Sequence, residues 1–428
     1  IGETDYLTQV PNLLESSMVS YRVWLLDNSD NEIFKTVDTE FEVEVQLSDI
    51  YDKSLDTGWS WFSINKYIDD MSLNNVMSSL TTTNTLVDGD YIKSYTGFSD
   101  YYAGFGWFGT GLDNFDNSSM YKINLTTNSG NITFEGNAVV PSESPININS
   151  GWNWIGYTPN EVLDIDTALL SIYDQASNGD YIKSFSGFAD FYEGFGWFGA
   201  GLSTLNPKEG YMLDFANTDV LLYPDPVSLR SNIEITNSTY NKKWDLYHRD
   251  FEYNGSLTIG LDKKISNVTE NDQIAAFHEN ECRGITKAIT CPLNNKIVFP
   301  IMLYSNNDNE EFTFKYYNSL NDEVIELSNK VIFYKDMHLN NALEPYIMTN
   351  ELPIAYSLEN AYPNPFNPST NIKFSIAEDV NDLKLYIYDI TGRLVKKLHQ
   401  GSKERGEYEI KWNATNYASG IYFISLKT

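Results

Sequence analysis

The sequence predicts a mainly β chain built of tandem modules, and three observations carry that prediction. Aromatic residues make up 14% of the 428 residues, with 30 Tyr, while Ala-, Glu- and Lys-rich helical stretches are scarce. A block of 24 residues occurs twice. Short runs of alternating apolar and polar residues, punctuated by Asn- and Asp-rich turns, fill most of the remainder. A chain of this length outgrows one ordinary core, so roughly three to five modules are expected.

The duplicated block reads GDYIKSYTGFSDYYAGFGWFGTGL at 89–112 and GDYIKSFSGFADFYEGFGWFGAGL at 179–202, with 18 of 24 positions identical. Each copy has a lead-in, GWSWFSI at Gly58 and GWNWIGY at Gly151, and a trailing strand-like run, YKINL or YMLDF. Between lead-in and block, Leu73, Val76, Met77 and Leu80 fall at helical spacing behind Ser72, a candidate N-cap, and DTALLSIYDQA does the same behind Asp166. Each repeat is therefore expected as a strand, one short helix and several strands, over 51–145 and 146–226. Residues 1–50, with strand-like MVSYRVWLL and FEVEVQL, either end an upstream domain or pack on repeat 1. YPDPVS at Tyr223 reads as a linker. The runs SLTIGL, KIVFPIMLY and EFTFKYY predict an antiparallel β-sandwich-like middle module over 227–350.

Charge and punctuation narrow the function classes. The 29 Lys and Arg against 59 Asp and Glu give a net charge of −30, which repels phosphate backbones and anionic lipid, so nucleic acid and membrane surfaces are poor partners. No apolar run approaches the length of a spanning helix, and the opening at Ile1 reads as a mature product or a fragment. Cys282 and Cys291 are the only cysteines, and a short closed hairpin between them predicts one disulfide.

A last module occupies 354–428. LKLYIYD alternates, Asp389 to Arg393 makes a hairpin turn, and Gly420 precedes an apolar edge strand, which together read as a small immunoglobulin-like sandwich. Pro353, Pro363 and Pro365 resist helix and central strand, so the segment leading into it is expected to be extended and to bury little. SLENAYPNPFNPSTNIKFSI, the Tyr-Asp-x-x-Gly-Arg turn at Tyr388 to Arg393 and the Ser-Gly-x-Tyr start of the final strand together resemble the C-terminal type A sorting domain of the type IX secretion system of Bacteroidetes and related phyla. That resemblance implies recognition by an outer-membrane translocon and a secreted or cell-surface location. Pro363, Asn364, Pro365, Gly392, Arg393, Gly420 and Tyr422 stand on its motifs. The tandem GWNWIGY, GDYIKS and GFGWFG unit, and the DQIAAF and ECRG pair at Asp272 and Glu281, resemble segments of secreted proteins of such bacteria and imply a compartment without a chemistry.

Catalytic patterns are sparse. The four histidines, His248, His278, His338 and His399, form no HExxH, and there is no GxSxG, P-loop or dinucleotide fingerprint. His278-Glu279 with Cys282 lacks the second ligand pair a zinc site wants, so no metal or other cofactor is expected. Calcium is the one candidate, through Asp113, Asn114, Asp116 and Asn117, or through Asn306 to Asp308 with Glu310, although Asn/Asp clusters commonly just make turns. Eight aromatic residues lie between Tyr91 and Phe108. Trp107 and Trp197, with Tyr102 and Tyr192, are therefore candidate contacts for a sugar or another protein, against the alternative that the tryptophans anchor each module's own core. The expected function is that of a non-enzymatic structural or adhesive surface protein, or part of a filament or appendage. Glycan binding is the alternative, and a glycan-active enzyme ranks behind both.

Overall fold

The computed structural model describes residues 24–26, 32–35, 49–225 and 241–428. Strands Trp24–Leu26 and Glu32–Lys35 pair antiparallel. Most of residues 1–50 and the second half of the YPDPVS linker lie outside the described residues, while Tyr223 is buried in the core of repeat 2.

The architecture is mainly β. Both repeats fold into five-stranded antiparallel sheets of one order. Across the first sheet run Gly58–Ser63, Met120–Leu125, Tyr91–Lys93, Phe98–Tyr102 and Gly106–Thr110; across the second, Gly151–Gly156, Gly210–Phe215, Tyr181–Lys183, Phe188–Tyr192 and Gly196–Ala200. Register is shared too, with Tyr91 opposite Asp100 and Asp100 opposite Phe108, as Tyr181 faces Asp190 and Asp190 faces Phe198.

Retained residues fix this shape locally. Asp90 accepts from the amides of Val87 (2.9 Å) and Thr126 (2.7 Å), and Asp180 from Ser177 and Ala216 (both 2.7 Å), so one carboxylate ties the turn before GDYIKS to the trailing strand in each copy. Gly106 and Gly196 hold φ of 96° and 103°, and a Cβ there would meet Asn74 Oδ1 at 2.5 Å or Asp166 Oδ1 at 2.3 Å. Those oxygens accept from the amides of Trp107 (3.1 Å) and Trp197 (2.9 Å), which clips the GFGW turn to the helical segment. Asp166 thus serves the turn, and the helix N-cap is Asp164, whose side chain accepts from Asp166 and Thr167. Ser72 caps through its backbone alone. The helices are shorter than the periodicity predicts: Leu73–Val76 and Ser78–Thr82 break at Met77, and Ile165–Ala168 gives way to a 3-10 turn at Leu170–Gln175.

The repeats pack directly on each other. Trp59, Trp61 and Met120 of the first share a cluster with Phe185 and Met212 of the second, with Trp152 and Trp154 against it. The two lead-in tryptophan pairs are therefore the joint between modules. The middle module stacks a sheet built on Tyr253–Leu261 and Ile297–Ser305 against one built on Gln273–His278, Glu281–Lys287, Glu311–Asn318 and Glu323–Ile332. It is not wholly antiparallel, because His338–Leu339 and Tyr346–Met348 pair parallel to Tyr253–Leu261.

The tail forms a sandwich of Ser369–Ile376 and Gly406–Asn413 over Val380–Asp389, Leu394–Lys403 and Tyr422–Lys427, around Ile372, Phe374, Leu383, Leu385 and Trp412. The connecting segment is exposed over most of 351–365. The tail nevertheless docks firmly. Gly406–Asn413 pairs parallel with Glu323–Ile332, so one sheet of seven strands runs through both modules. Lys330 bridges Glu311 (2.9 Å) and Glu404 (2.7 Å), Lys403 pairs with Glu311, and Asn329 donates to Glu407 (2.7 Å). A sorting module hung on a slack linker is thus not what the chain builds.

Candidate functional site

The tail gathers its motif residues at one end of its sandwich. Asp389 closes the hairpin turn: Oδ1 accepts from the amides of Thr391 (2.9 Å) and Arg393 (3.0 Å), and Oδ2 lies 3.0 Å from Arg393 Nε. The Thr391 hydroxyl leads the hydrogen bonds that hold the Asp389 carboxyl below its usual range. Gly392 takes the left-handed φ of 80° that the turn requires. Asp389 is also opposite Tyr422 in register, which places the Gly392-Arg393 turn beside the start of the final strand. Asn364, Pro365, Gly420 and Tyr422 line a groove of about 1020 Å³ floored by Phe366 and Trp412. The Phe366 and Tyr422 rings sit 5.3 and 5.0 Å from Trp412. Pro363 stands outside the groove, its carbonyl accepting from Thr370 Oγ1 at 2.8 Å. Exposed Ile390, Ile421 and Phe423 extend an apolar surface along this end. Sequence reasoning passed over Phe366 and Trp412, although the Phe inside PNPFNP and the Trp ending an alternating strand marked both.

Repeat faces divide the aromatic candidates. Trp107 and Trp197 are buried, 6% and 5% exposed, each inside its own repeat's core and edge-on to Tyr101 or Phe191 at 5.3 Å. They are core anchors and touch no solvent-borne ligand, because strand alternation sends them to the helix side of the sheet. Tyr192 is also buried. Its hydroxyl accepts from the Ala342 amide at 2.9 Å, and its ring packs with Cys291, Val298 and Ala342 of the middle module. Tyr102 alone of the four is half exposed.

Cys282 and Cys291 are free thiols. The expected closed hairpin does not form: Cys282 lies on strand Glu281–Lys287 of one sheet, and Cys291 follows Ile289–Thr290, which pairs in the other sheet. Burial pushes the Cys282 thiol up.

Five of the calcium candidates are engaged by other groups of the protein. Asp116 Oδ1 accepts from Ser118 (2.6 Å) and Asn117 donates to the carbonyls of Ile64 (2.7 Å) and Lys66 (2.9 Å). Asn306 accepts from Glu252 N, Asp308 from Lys335 N, and Glu310 holds Ser305 and Arg283. Among the described residues no group of three or more His, Cys, Asp and Glu is placed to hold a metal. His248 is packed between Phe185 and Tyr304, and burial lowers it to about 4. His278 contacts the Glu311 carbonyl at 3.0 Å through Nδ1.

Between the three upstream modules lies a cluster of cations that the sequence did not announce. Lys183 donates to Asp336 (2.6 Å) and the Asn254 carbonyl (3.1 Å), Lys93 pairs with Glu252, and Lys122 lies over Trp61 and Trp154 at 4.2 and 4.6 Å. Burial, with Asp336 opposing it, lowers Lys122 to about 7.

Comparison with known proteins bears on the tail. No protein of curated function matches the chain. Among solved structures, the crystal structure of dimeric latent PorU from Porphyromonas gingivalis aligns at 12% identity and a TM-score of 0.14, over 89% of this chain and 29% of that one. This chain thus spans less than a third of that protein's length, and a likeness so weak carries no statement about fold. Among the described residues no helix is long and apolar enough to cross a membrane. Residues 360–428 match the family described as the secretion system C-terminal sorting domain, and the tail is accordingly a type IX secretion sorting domain, the mark of a secreted, cell-surface protein.

Proposed function

We propose that the chain is a structural or adhesive protein of the cell surface, acting by contact and not by catalysis, with the tail as its export address and the repeats as interaction modules. One observation carries the reading: the outer sheet face of repeat 2 is itself a protein-docking face, closed over by the middle module through Tyr192, Lys183 and the stacked pair Tyr181 and His338, 4.0 Å apart. A module whose sheet face seals against a neighbour is suited to building extended assemblies or gripping other proteins. The glycan-binding alternative keeps only Tyr102 of its four aromatic contacts.

The test is a chain lacking residues 354–428, expressed in the native host. Extracellular appearance should be lost. Removal also strips Glu323–Ile332 of its parallel neighbour Gly406–Asn413, so the middle module's melting temperature should fall by several degrees while the repeats keep theirs. Secretion at the normal level would overturn the role of the tail. For the full chain, sedimentation and imaging should show assemblies or surface attachment, and hydrolysis of a polysaccharide substrate would overturn the non-enzymatic reading.

A further inference from the structure

The two repeats carry one aromatic face in two states. In repeat 2, Phe188 and Tyr192 are buried, 0% and 4% exposed; their counterparts Phe98 and Tyr102 in repeat 1 stand 41% and 49% exposed, beside Phe105 at 80% and Phe108 at 55%. Sheet order and register are the same, so the strands themselves do not set the difference. What differs is a cover. On repeat 2 sits the middle-module segment Met337 to Ala342, whose His338 stacks on Tyr181, lies 2.7 Å from Asp190 Oδ1 through Nε2 and 2.9 Å from Ser256 Oγ through Nδ1. Its Ala342 amide donates to Tyr192. On repeat 1 the same receptor groups exist, Tyr91, Asp100 and Tyr102 in equivalent register, and among the described residues nothing covers Tyr102, Phe105 or Phe108.

The geometry points to a second docking site: we propose that the outer face of strands Phe98–Tyr102 and Gly106–Thr110 binds a loop of a partner protein that presents one imidazole or cationic side chain among apolar residues. This rests on the reading of the chain as a surface interaction protein. The occupant follows from two arguments. The filled twin shows which kind of segment this face accepts, a polypeptide loop with an imidazole at the carboxylate and a backbone amide at the tyrosine hydroxyl. Charge selects the same way, since Asp100 stands amid the rings and two copies facing each other here would oppose two carboxylates on chains of net charge −30 each. A cation brought by the partner relieves what a second copy would aggravate, and exposed rings around a charged centre are the composition of binding hot spots.

The probe is a cyclic peptide spanning residues 334–343, added to the intact chain, whose own loop already fills repeat 2. Saturable binding, measured by fluorescence anisotropy, is expected, weakened at least about tenfold by Asp100→Asn, by a peptide carrying His338→Ala, or by Tyr102→Ser with Phe108→Ser. Tyr102 and Phe108 are exposed and Asp100 is partly exposed, so circular dichroism should be unchanged. Absence of saturable binding, or binding that survives the double substitution, overturns the proposal. So does protection of Tyr102 and Phe105 from hydroxyl-radical labelling in the monomer, a dimer that the double substitution dissolves, or glycan binding at this face without peptide binding. If the peptide binds as expected but the substituted chain still attaches or assembles normally on cells, the docking face stands and the adhesive reading fails.

Discussion

The two repeats share three-quarters of their core block, yet one presents Phe98 and Tyr102 to solvent and the other buries their counterparts Phe188 and Tyr192. The contrast teaches that burial of an outward-facing strand residue is decided by the neighbouring module, while burial of an inward-facing one is decided by the repeat itself. Trp107 and Trp197 obey the second rule and are equally buried; Tyr102 and Tyr192 obey the first and differ. Substitutions at Phe188 and Tyr192 should therefore cost far more than those at Phe98 and Tyr102.

The largest effect tests that rule head-on. Phe188→Ala opens a cavity beneath the middle module, beside Tyr181 and Met302, and should destabilise by about 3–5 kcal/mol, whereas Phe98→Ala should cost below about 1 kcal/mol because water already reaches that ring. Denaturant melts of the two variants measure both. Equal losses would mean that repeat 1 is covered as well.

A second break in the symmetry is Lys122, whose counterpart in the second repeat is Met212. Buried against Trp61 and Trp154, with Lys93, Lys183, Glu252 and Asp336 around it, the ammonium falls from 10.5 to about 7. Between those values the unfolded chain holds a proton that the folded chain lacks, so stability rises with pH from about 7 towards 10.5 and this group adds no slope below 7. Lys122→Met should stabilise at neutral pH, on the order of 2–4 kcal/mol, and flatten that rise, leaving the part due to Lys183, which burial also lowers. Thermal melts at pH 6, 7.5 and 9 check it; a Met variant less stable than the parent at pH 7.5 shows that the cation is needed for docking.

How far these features were legible in the sequence follows from what each depends on. The tail was readable because its turn is local: Asp389, Gly392 and Arg393 complete one hairpin by themselves. Sheet composition and the repeat block were readable for the same reason. The edge pairing that fuses tail to middle module was not, since Asn329 and Glu407 are 78 residues apart and neither strand advertises its partner. The cysteine hairpin failed because spacing alone does not distinguish a turn from a continuing strand. Density of rings between Tyr91 and Phe108 marked a segment with more aromatics than one core needs, and alternation assigns Trp107 to the core and Tyr102 and Phe108 to the surface. Asp100 and Asp190 are kept among the rings in both copies, and in repeat 2 that carboxylate is the one His338 meets.

The smallest prediction isolates one hydrogen bond. Tyr192 and Tyr102 hold equivalent positions, but only Tyr192 accepts from a middle-module amide, that of Ala342 at 2.9 Å. Removing the hydroxyl as Tyr192→Phe leaves the ring in place and strands a buried N–H, so the cost is the desolvation of that amide, about 1–2 kcal/mol. Tyr102→Phe meets water on its exposed side and should change stability by under about 0.5 kcal/mol. The exchange rate of the Ala342 amide is the sharper readout, because its protection should fall in the Tyr192 variant in proportion to the lost stability of the joint between repeat 2 and the middle module. Unchanged protection there would mean that Met337 to Ala342 is held by His338 and Lys183 alone, and that the tyrosine contributes packing without direction.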